Sequence, residues 1–293
     1  MPKYVISEDI CIILPEWGKP RKILIPDSNF FSRLRLQMKS LLEDIFGDQK
    51  VVLVPAAEIQ AGLKKYVAAT DFDIVSLDPW YYRGDYHLEI NRVVDAQLMN
   101  QGERERFGHL PIAKQIDRLR QAQIKEVALL DDVVFTGNNI ADLIDKLQRQ
   151  GIRVRLVIAG VAVAEGIKKM KELGVKLEAV RRYELIIDEI CERDFYPGVP
   201  HSGRTVIGHN HNVGAPYLIP FGKPAEWASI PPAWVEEFSR FCLRQSLELW
   251  QEIGQLNGRH ITCQELSRLP RGISPDGRKF IDILQNIYEQ RAV

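Results

Sequence analysis

The 293-residue sequence contains few cysteines, and none of them form a close pair. Its four cysteines are Cys11, Cys191, Cys242 and Cys263, which lie far apart, and no CxxC spacing occurs. A disulfide framework and a zinc ribbon both need cysteines at closer, regular spacings, so the sequence disfavours these two classes. This cysteine usage fits a reduced, cytosolic compartment best.

The sequence also lacks long apolar runs. No stretch approaches the roughly 18 consecutive apolar residues that a membrane-spanning helix needs. The first residues, Met1–Tyr4, do not begin a basic region followed by a long apolar run, which is the pattern of a secretory signal peptide. We therefore expect a soluble, cytoplasmic protein with no membrane partner.

Charge is balanced, and several well-known motifs are missing. Lys plus Arg number 39 and Asp plus Glu also number 39, so the formal net charge is +0. Because nucleic-acid binders usually carry a basic excess, we expect no nucleic-acid partner. GxGxxG, GxxxxGK[ST] and GxSxG strings are absent, so dinucleotide-binding, P-loop and hydrolase-elbow functions lack their signatures. Hydrophobic residues make up 45% of the sequence, which is ordinary for a globular protein with a core.

Strands and helices alternate clearly in the middle of the chain. The apolar pattern predicts strands over 127–130, 154–163 and 177–180, and helices over 140–147 and 165–173. Such alternation predicts βαβ units and a parallel sheet. There are too few strands for an eight-fold barrel. The predicted fold class is therefore α/β, with an open, doubly wound, mostly parallel sheet.

The flanking regions are less regular. Residues 4–14 alternate and then run apolar, which predicts a strand or a hairpin arm. Residues 191–224 form a long irregular stretch rich in proline and glycine, and helical spacing returns from Pro232 onward. We predict an α/β domain over residues 1–222 and a helical C-terminal extension over residues 223–293.

The segment Val127–Ile140 is the clearest candidate for chemistry. Asp131 and Asp132 follow a buried apolar strand, a short turn with Thr136 and Gly137 comes next, and a helix starts immediately afterwards. Ligands of open α/β sheets bind beyond the carboxyl ends of the strands. A helix start presents backbone N–H groups and a positive dipole end to an anion. The pattern thus predicts a ribose 5-phosphate site, with carboxylates toward the sugar and the turn around the phosphate.

This string resembles the phosphoribosyl pyrophosphate signature of type I phosphoribosyltransferases. That signature has four apolar residues, two acidic residues, two apolar residues and a Thr/Ser-rich turn with Gly. The resemblance extends over about residues 51–180 in strand–helix order, although the specific match is confined to the signature. It implies that Asp131 and Asp132 are catalytic and bind the ribose 2- and 3-hydroxyls. It also implies a phosphate loop formed by Thr136, Gly137, Asn138 and Asn139.

Two positions depart from the family pattern. Phe135 stands where Thr is common, and Asn139 stands where Thr or Ser is usual. The backbone part of the phosphate site survives both changes. The departures therefore put turnover more in doubt than binding.

The resemblance implies an enzyme of the glycosyltransferase class, specifically a pentosyltransferase of nucleotide metabolism. Its donor would be phosphoribosyl pyrophosphate, its acceptor a base-like small molecule, and its product pyrophosphate. The expected cofactor is Mg2+, bound through the ligand. Arg83 and Gly84 are candidates for binding pyrophosphate. The polar segment 100–108 lies where the family has a flexible loop, so Arg104 and Arg106 are candidates on a mobile lid.

The acceptor site is predicted in the segment 192–205, which is dense in aromatic and charged residues. Aromatic rings can stack on a planar acceptor, and charged groups can pair with its edge. The candidate acceptor residues are Arg193, Asp194, Phe195, Tyr196 and Arg204. The alternative interpretation of this segment is an ordered cover over the sheet, held by an Arg–Asp pair.

Two further interpretations remain open. One is a non-catalytic sensor or regulator, which binds a phosphoribosyl ligand and contacts a partner through its C-terminal helices. The other concerns the oligomeric state, for which a homodimer is one expectation. A phosphatase with an Asp nucleophile fits poorly, because that chemistry needs a second carboxylate two residues later and Val133 directly follows Asp132.

Overall fold

The computed structural model describes residues 1–48 and 50–291. In chain order, its strands are β1 Lys3–Ser7, β2 Val51–Val54, β3 Asp73–Ser76, β4 Tyr86–His87, β5 Ile90–Val94, β6 Asn100–Glu105, β7 Glu126–Val134, β8 Arg153–Val163, β9 Lys176–Tyr183, β10 Ile186–Cys191, β11 Arg204–Val206, β12 Val213–Ala215 and β13 Leu269–Pro270. Its α-helices are α1 Ile10–Gly18, α2 Ser28–Phe46, α3 Ala56–Val67, α4 Ile112–Gln121, α5 Asn138–Arg149, α6 Ala164–Glu172, α7 Pro224–Trp227, α8 Val235–Leu256 and α9 Phe280–Glu289.

The chain forms two compact units. The first unit contains Met1–Lys3, Val54–Arg92 and Gly102–Glu189. The second unit contains Tyr4–Leu53, Val93–Gln101 and Ile190–Val293. This division does not coincide with the boundary predicted between residues 222 and 223. Much of the predicted α/β domain belongs to the same unit as the C-terminal helices, because units are built by long-range packing that a local sequence pattern does not report.

A parallel sheet forms the centre of the first unit. Its strand order is β4-β3-β7-β8-β9, and each neighbouring pair runs parallel. The register places Val75, Leu129, Val157 and Leu177 side by side across four strands. These four residues are buried in one cluster with apolar side chains of α4 and α5. The fold class is therefore α/β with mostly parallel strands, as the alternating pattern predicted.

Helix α3 packs on the opposite face of this sheet. A Cβ atom added to Gly62 of α3 would overlap with the side chain of Val180 in β9. A Cβ atom added to Gly160 of β8 would come within 3.0 Å of Ile59 in α3. Alternate residues of a strand point to opposite faces, so the sheet has helices on both sides. This is the doubly wound arrangement.

The second unit combines short strands with long helices. Strands β13, β12 and β11 pair in that order, parallel between β13 and β12 and antiparallel between β12 and β11. In the helical part, Trp250 of α8 packs edge-to-face on Trp17 of α1, with 5.9 Å between the ring centroids. Trp250 also meets Phe280 of α9 at 5.4 Å and donates its indole N–H to Pro197 O at 2.9 Å.

The N-terminal prediction was wrong in part. Residues 3–7 form strand β1, but the apolar run that follows belongs to helix α1. In this helix, Ile10, Ile13, Leu14 and Trp17 are buried. A short apolar run is compatible with a strand or with a buried helix, and tertiary packing decides between them.

Candidate functional site

Strand β7 carries both signature carboxylates inside the sheet. The sequence pattern predicted a strand that ends at Leu130, but β7 continues to Val134. Its register with β8 pairs Asp131 with Ala159 and Val134 with Ala162. The strand is longer than predicted because β8 supplies backbone partners as far as its own C-terminal end. The acidic pair therefore lies on a fixed strand rather than in a turn.

The turn that follows β7 needs glycine. Gly137 has φ 76° and ψ 1°, in the left-handed region, and precedes the first residue of α5. A Cβ atom at this position would lie 3.1 Å from Met170 Cε and 3.2 Å from Lys169 Cβ, both on α6. Within the turn, Asn138 N donates to Thr136 Oγ1 at 3.3 Å. The sequence thus fixes a tight turn that brings the start of α5 next to the end of β7.

The start of α5 is open to solvent at the positions predicted for phosphate. Asn138 and Asn139 are exposed, Thr136 is half-buried and Gly137 is buried. Helix starts carry backbone N–H groups and a partial positive charge, both of which favour an anion. The structure therefore brings the four predicted phosphate-loop residues together in one turn with an accessible helix start.

The acidic pair lies in an electrostatically unusual environment. Asp131 Oδ1 accepts a hydrogen bond from Asp132 N at 3.0 Å, and Asp132 Oδ1 accepts one from Val133 N at 2.7 Å. Burial raises the pKa of Asp131 well above its usual range, and the charges of Asp132 and Asp78 raise it further. Such a crowded set of carboxyl groups favours the neutral form of Asp131. That form can donate a hydrogen bond as well as accept one.

Asp78 belongs to this acidic group and was not among the predicted site residues. It follows β3, the strand next to β7, and only 3% of it is exposed. Asp78 Oδ1 accepts a hydrogen bond from Trp80 N at 3.1 Å. The carboxyl ends of neighbouring parallel strands meet at one edge of a sheet, so its position directly after a strand was a usable signal.

The predicted pyrophosphate residues occupy the loop between β3 and β4. Arg83 is exposed, whereas Gly84 packs close to β3. A Cβ atom on Gly84 would approach Ile74 O to 2.6 Å. Gly84 N donates to Ser76 Oγ at 2.8 Å, and Ser76 Oγ donates to Tyr82 O at 2.9 Å. These contacts hold the loop in shape and leave Arg83 accessible; its role with pyrophosphate stays a prediction.

The segment predicted as a mobile lid contains regular structure. Residues 100–105 form β6, which lies beside β5 in its sheet. Arg104 is exposed, but Arg106 Nε lies 3.3 Å from Glu89 Oε2. Strand pairing overrides the polar, charged composition that suggested a loop. A lid role for Arg104 and Arg106 stays a prediction.

Glu103 of β6 is a second residue that the sequence-based prediction of the site omitted. Burial raises the pKa of Glu103, and the positive charges of Arg92 and Lys146 oppose this shift. The polar side chain of Asn139, at the start of α5, also lowers this pKa. No sequence signal pointed to Glu103, because these interactions depend on where the strand lies relative to α5.

The charged residues predicted for the acceptor have partners within the second unit. Arg193 Nη1 lies 2.7 Å from Asp9 Oδ2, and Arg193 N donates to Asp9 Oδ1 at 2.9 Å. Asp194 Oδ1 accepts a hydrogen bond from Gly203 N at 2.7 Å. These contacts stabilise the irregular segment around Glu192–Phe195, which forms a 3-10 helix.

The aromatic acceptor candidates are core residues of the same unit. Phe195 is 0% exposed and Tyr196 is 1% exposed. Tyr196 Oη donates to Gln245 Oε1 at 2.9 Å. Arg204 stacks over Trp227, with 4.5 Å between its guanidinium carbon and the ring centroid. An acceptor role for these residues stays a prediction, and it would require rings that are now covered by protein to become accessible.

The expected magnesium can be tested against the side chains present. Within the described parts, residues 1–48 and 50–291, no group of three or more His, Cys, Asp and Glu residues could hold a metal ion. His209 and His211 approach each other, with 5.7 Å between ring centroids, but do not belong to such a group. The described residues therefore do not fit an ion bound by protein alone, and a magnesium ion bound through ligand oxygens stays a prediction. None of the helices in the described chain is long and apolar enough to cross a membrane.

Comparisons with known proteins gave matches among solved structures only; no protein-family model and no curated protein matched the sequence. Orotate phosphoribosyltransferase from Aeropyrum pernix is 33% identical over 20% of this chain and 35% of its own, with a TM-score of 0.19. Adenine phosphoribosyltransferase from Thermoanaerobacter pseudethanolicus is 15% identical over 43% of this chain and 78% of its own, with a TM-score of 0.30. The chain is similar in part to type I phosphoribosyltransferases.

The extent of this similarity is limited. The match with the UMP synthase of Leishmania donovani covers 43% of this chain and 27% of that chain, at 19% identity and a TM-score of 0.27. The chain thus spans about a third or less of the length of the first two of these structures.

Proposed function

We propose that the first unit binds phosphoribosyl pyrophosphate, or a related ribose 5-phosphate, at the turn between β7 and α5. We further propose that the protein transfers the phosphoribosyl group to a base-like acceptor and releases pyrophosphate. The observation that carries this proposal is the direct succession of two carboxylates, a left-handed Gly137 and an accessible helix start. A ribose 5-phosphate carries hydroxyl groups at one end and a phosphate at the other, so it needs carboxylates and anion-binding N–H groups at a matching separation.

Each part of the turn has a distinct task in this proposal. The N–H groups at the start of α5 bind the 5-phosphate, and Gly137 lets the backbone approach it without steric hindrance. Asp131 and Asp132 bind the ribose hydroxyls: the neutral carboxyl group of Asp131 can donate and accept hydrogen bonds, and a charged carboxylate beside it accepts strong, charge-assisted ones. Because carboxylates repel phosphate, the pair also fixes which end of the ligand faces which end of the turn.

The same residues suit the proposed reaction. During transfer, the bond between the anomeric carbon and the pyrophosphate oxygen breaks, and pyrophosphate leaves with the electron pair. A nucleophilic atom of the acceptor then bonds to that carbon and releases its proton to solvent water. The sugar carries positive charge in between, and nearby negative charge on the acidic group stabilises it. When magnesium is present, it neutralises charge on the leaving pyrophosphate.

The non-catalytic sensor remains the second candidate. It is favoured by the burial of the Phe195 and Tyr196 side chains and by the Arg106–Glu89 pair, since these residues were expected to serve acceptor and pyrophosphate. A sensor needs the phosphate turn and the acidic pair but neither of the other parts. Fold similarity does not distinguish a sensor from an enzyme.

The test has a binding arm and a turnover arm. Calorimetric titration with ribose 5-phosphate and with phosphoribosyl pyrophosphate measures binding, and pyrophosphate release with a panel of nitrogenous bases measures turnover. Binding with release supports the enzyme, and binding without release for every base supports the sensor. Absence of binding to both ligands in the presence of magnesium would refute the proposed function.

A further inference from the structure

A cleft in the second unit takes no part in the proposed function. It has a volume of about 620 Å³ and is lined by residues of α2, α8 and α9 and by Arg291. Its apolar wall consists of Leu41, Phe241 and Tyr288. Pockets of this size commonly hold small ligands, whose body contacts an apolar wall and whose orientation is fixed by a few polar groups. The cleft therefore has the volume and the wall of a small-molecule site.

The charged lining of the cleft has a positive excess. Three arginines and two glutamates line it, namely Arg240, Arg244, Arg291, Glu236 and Glu237. Three positive charges against two negative charges leave a net charge of +1. A singly charged anion balances this excess, whereas a phosphate dianion would leave the cleft with excess negative charge. The lining thus favours a carboxylate over a phosphate.

Arg240 stacks on a ring instead of pairing with a carboxylate. Its guanidinium carbon lies 5.7 Å from the ring centroid of Tyr288. Glu236 lies four residues earlier on the same face of α8, at the spacing that suits an ion pair. That carboxylate is bound by Arg291 instead, whose Nη1 lies 2.8 Å from Oε1 of Glu236.

Arg244 has the same arrangement one turn further along α8. Its guanidinium carbon lies 5.1 Å from the ring centroid of Phe241, and Glu248, four residues later, pairs with Arg33 of α2. In the described part of the chain, neither Arg240 nor Arg244 forms an ion pair. Residues four apart on a helix are neighbours, so two positive charges that repel each other lie side by side without a counter-charge.

We propose that this cleft binds a small aromatic carboxylate, whose carboxylate group lies between the guanidinium groups of Arg240 and Arg244 and whose ring packs on the apolar wall. A guanidinium stacked on a ring keeps its N–H groups in its own plane, where they can donate in pairs to a carboxylate. Side chains four apart on a helix have Cβ atoms about 5–6 Å apart, so one carboxylate can reach both arginines. This inference does not depend on the proposed phosphate turn, because every lining residue belongs to the second unit.

The probe is para-fluorobenzoate, because its fluorine atom reports binding to the full chain in fluorine NMR. Two competitors separate its parts: benzamide has the ring without the charge, and acetate has the charge without the ring. The test variants are Arg240→Gln and Arg244→Gln. The matched control is Arg21→Gln, because Arg21 also stacks on a ring, 5.4 Å from the centroid of Trp17, but does not line the cleft.

We expect each test variant to bind the probe about ten-fold more weakly than the unmodified protein, the lower end of the range for losing a hydrogen bond between charged groups. The lower end applies because Arg244 is exposed to water. Arg21→Gln should bind the probe normally. Glu237→Gln should bind it about two-fold more tightly, the effect of removing one exposed negative charge in a water-like medium. Thermal unfolding of each variant establishes that it is folded.

Several results would overturn the inference. One is absence of probe binding to the unmodified protein, and another is equal binding to Arg240→Gln and Arg244→Gln. Benzamide or acetate that competes as strongly as benzoate would show that the charge or the ring is not recognised. Tighter binding of hexaglutamate than of the probe, lost in Arg240→Gln, would assign the cleft to an acidic protein partner instead. If the unmodified protein binds the probe but not ribose 5-phosphate, this inference stands and the proposed function fails.

Discussion

Replacement of Gly137 by alanine tests the phosphate turn directly. Gly137 has φ 76°, and a left-handed conformation costs a residue with a Cβ atom roughly 1–2 kcal/mol. The new Cβ would also lie within 3.1–3.3 Å of Met170, Lys169 and Gly166 on α6, so those atoms must move by a few tenths of an ångström. Overpacking of this kind adds about 1 kcal/mol. The expected loss of unfolding free energy is therefore about 2–3 kcal/mol.

Gly151 provides a matched control at the other end of the same helix. It also has φ +76°, but a Cβ atom there has no neighbour within 4 Å. Gly151→Ala should therefore lower the unfolding free energy only by the backbone strain of about 1–2 kcal/mol. The difference between the unfolding free energies of the two variants measures the crowding against α6, which occurs at the start of α5 but not at its end.

Urea denaturation gives the two unfolding free energies, and calorimetry gives the affinity for ribose 5-phosphate. We expect Gly137→Ala to lose most of its ligand affinity, since the turn must shift, and Gly151→Ala to keep it. Equal destabilisation by both substitutions would refute the crowding argument. Unchanged ligand affinity in folded Gly137→Ala would refute the assignment of this turn to the phosphate.

Three other substitutions test the remaining parts of the argument. Asp131→Asn combined with Asp132→Asn should weaken phosphoribosyl pyrophosphate binding by about 2–4 kcal/mol in calorimetry, since hydrogen bonds to charged groups contribute about 1.5–3 kcal/mol each. The control is Asp145→Asn, at an exposed ion pair on α5, which should bind the ligand normally. Asp131→Asn alone should raise stability at pH 7, because folding raises the pKa of this carboxyl group and so imposes a penalty that develops as the pH rises above 3.8, the ordinary pKa of an Asp side chain. Its removal should flatten the pH dependence of urea unfolding, and an unchanged profile would contradict the buried, crowded environment. Gly62→Ala should destabilise the first unit by about 1–3 kcal/mol through overlap with Val180, and Val180→Ala in the same protein should restore part of the loss.

Local sequence patterns were sufficient to predict the helices and strands around the signature. The apolar runs predicted β7, β8 and β9, the helical spacing predicted α5 and α6, and their alternation predicted the parallel sheet. The turn at Gly137 was also predictable from the sequence, because a left-handed residue just before a helix start favours glycine. These features depend on interactions between residues that are close in sequence, or on the periodic burial of one face.

Patterns were insufficient where long-range pairing decides the outcome. Residues 100–105 are polar enough for a loop, yet strand pairing in the sheet makes them β6 and brings Glu103 within the influence of the Lys146 charge on α5. The apolar residues after β1 suit a strand or a helix, and packing around Trp17 and Trp250 selects helix α1. In each case a partner distant in sequence supplies the deciding free energy.

The sequence by itself determined the β7–α5 turn, its acidic pair and its helix start, since strand, carboxylates, glycine and helix follow one another within a few residues. Only the tertiary structure decided which other groups surround that turn. It placed Asp78 and Glu103 near Asp131, and it assigned Phe195 and Tyr196 to the core of the second unit. Burial and charge depend on neighbours brought together by folding, so the electrostatics of the site follow from the three-dimensional packing, whereas its covalent order follows from the chain.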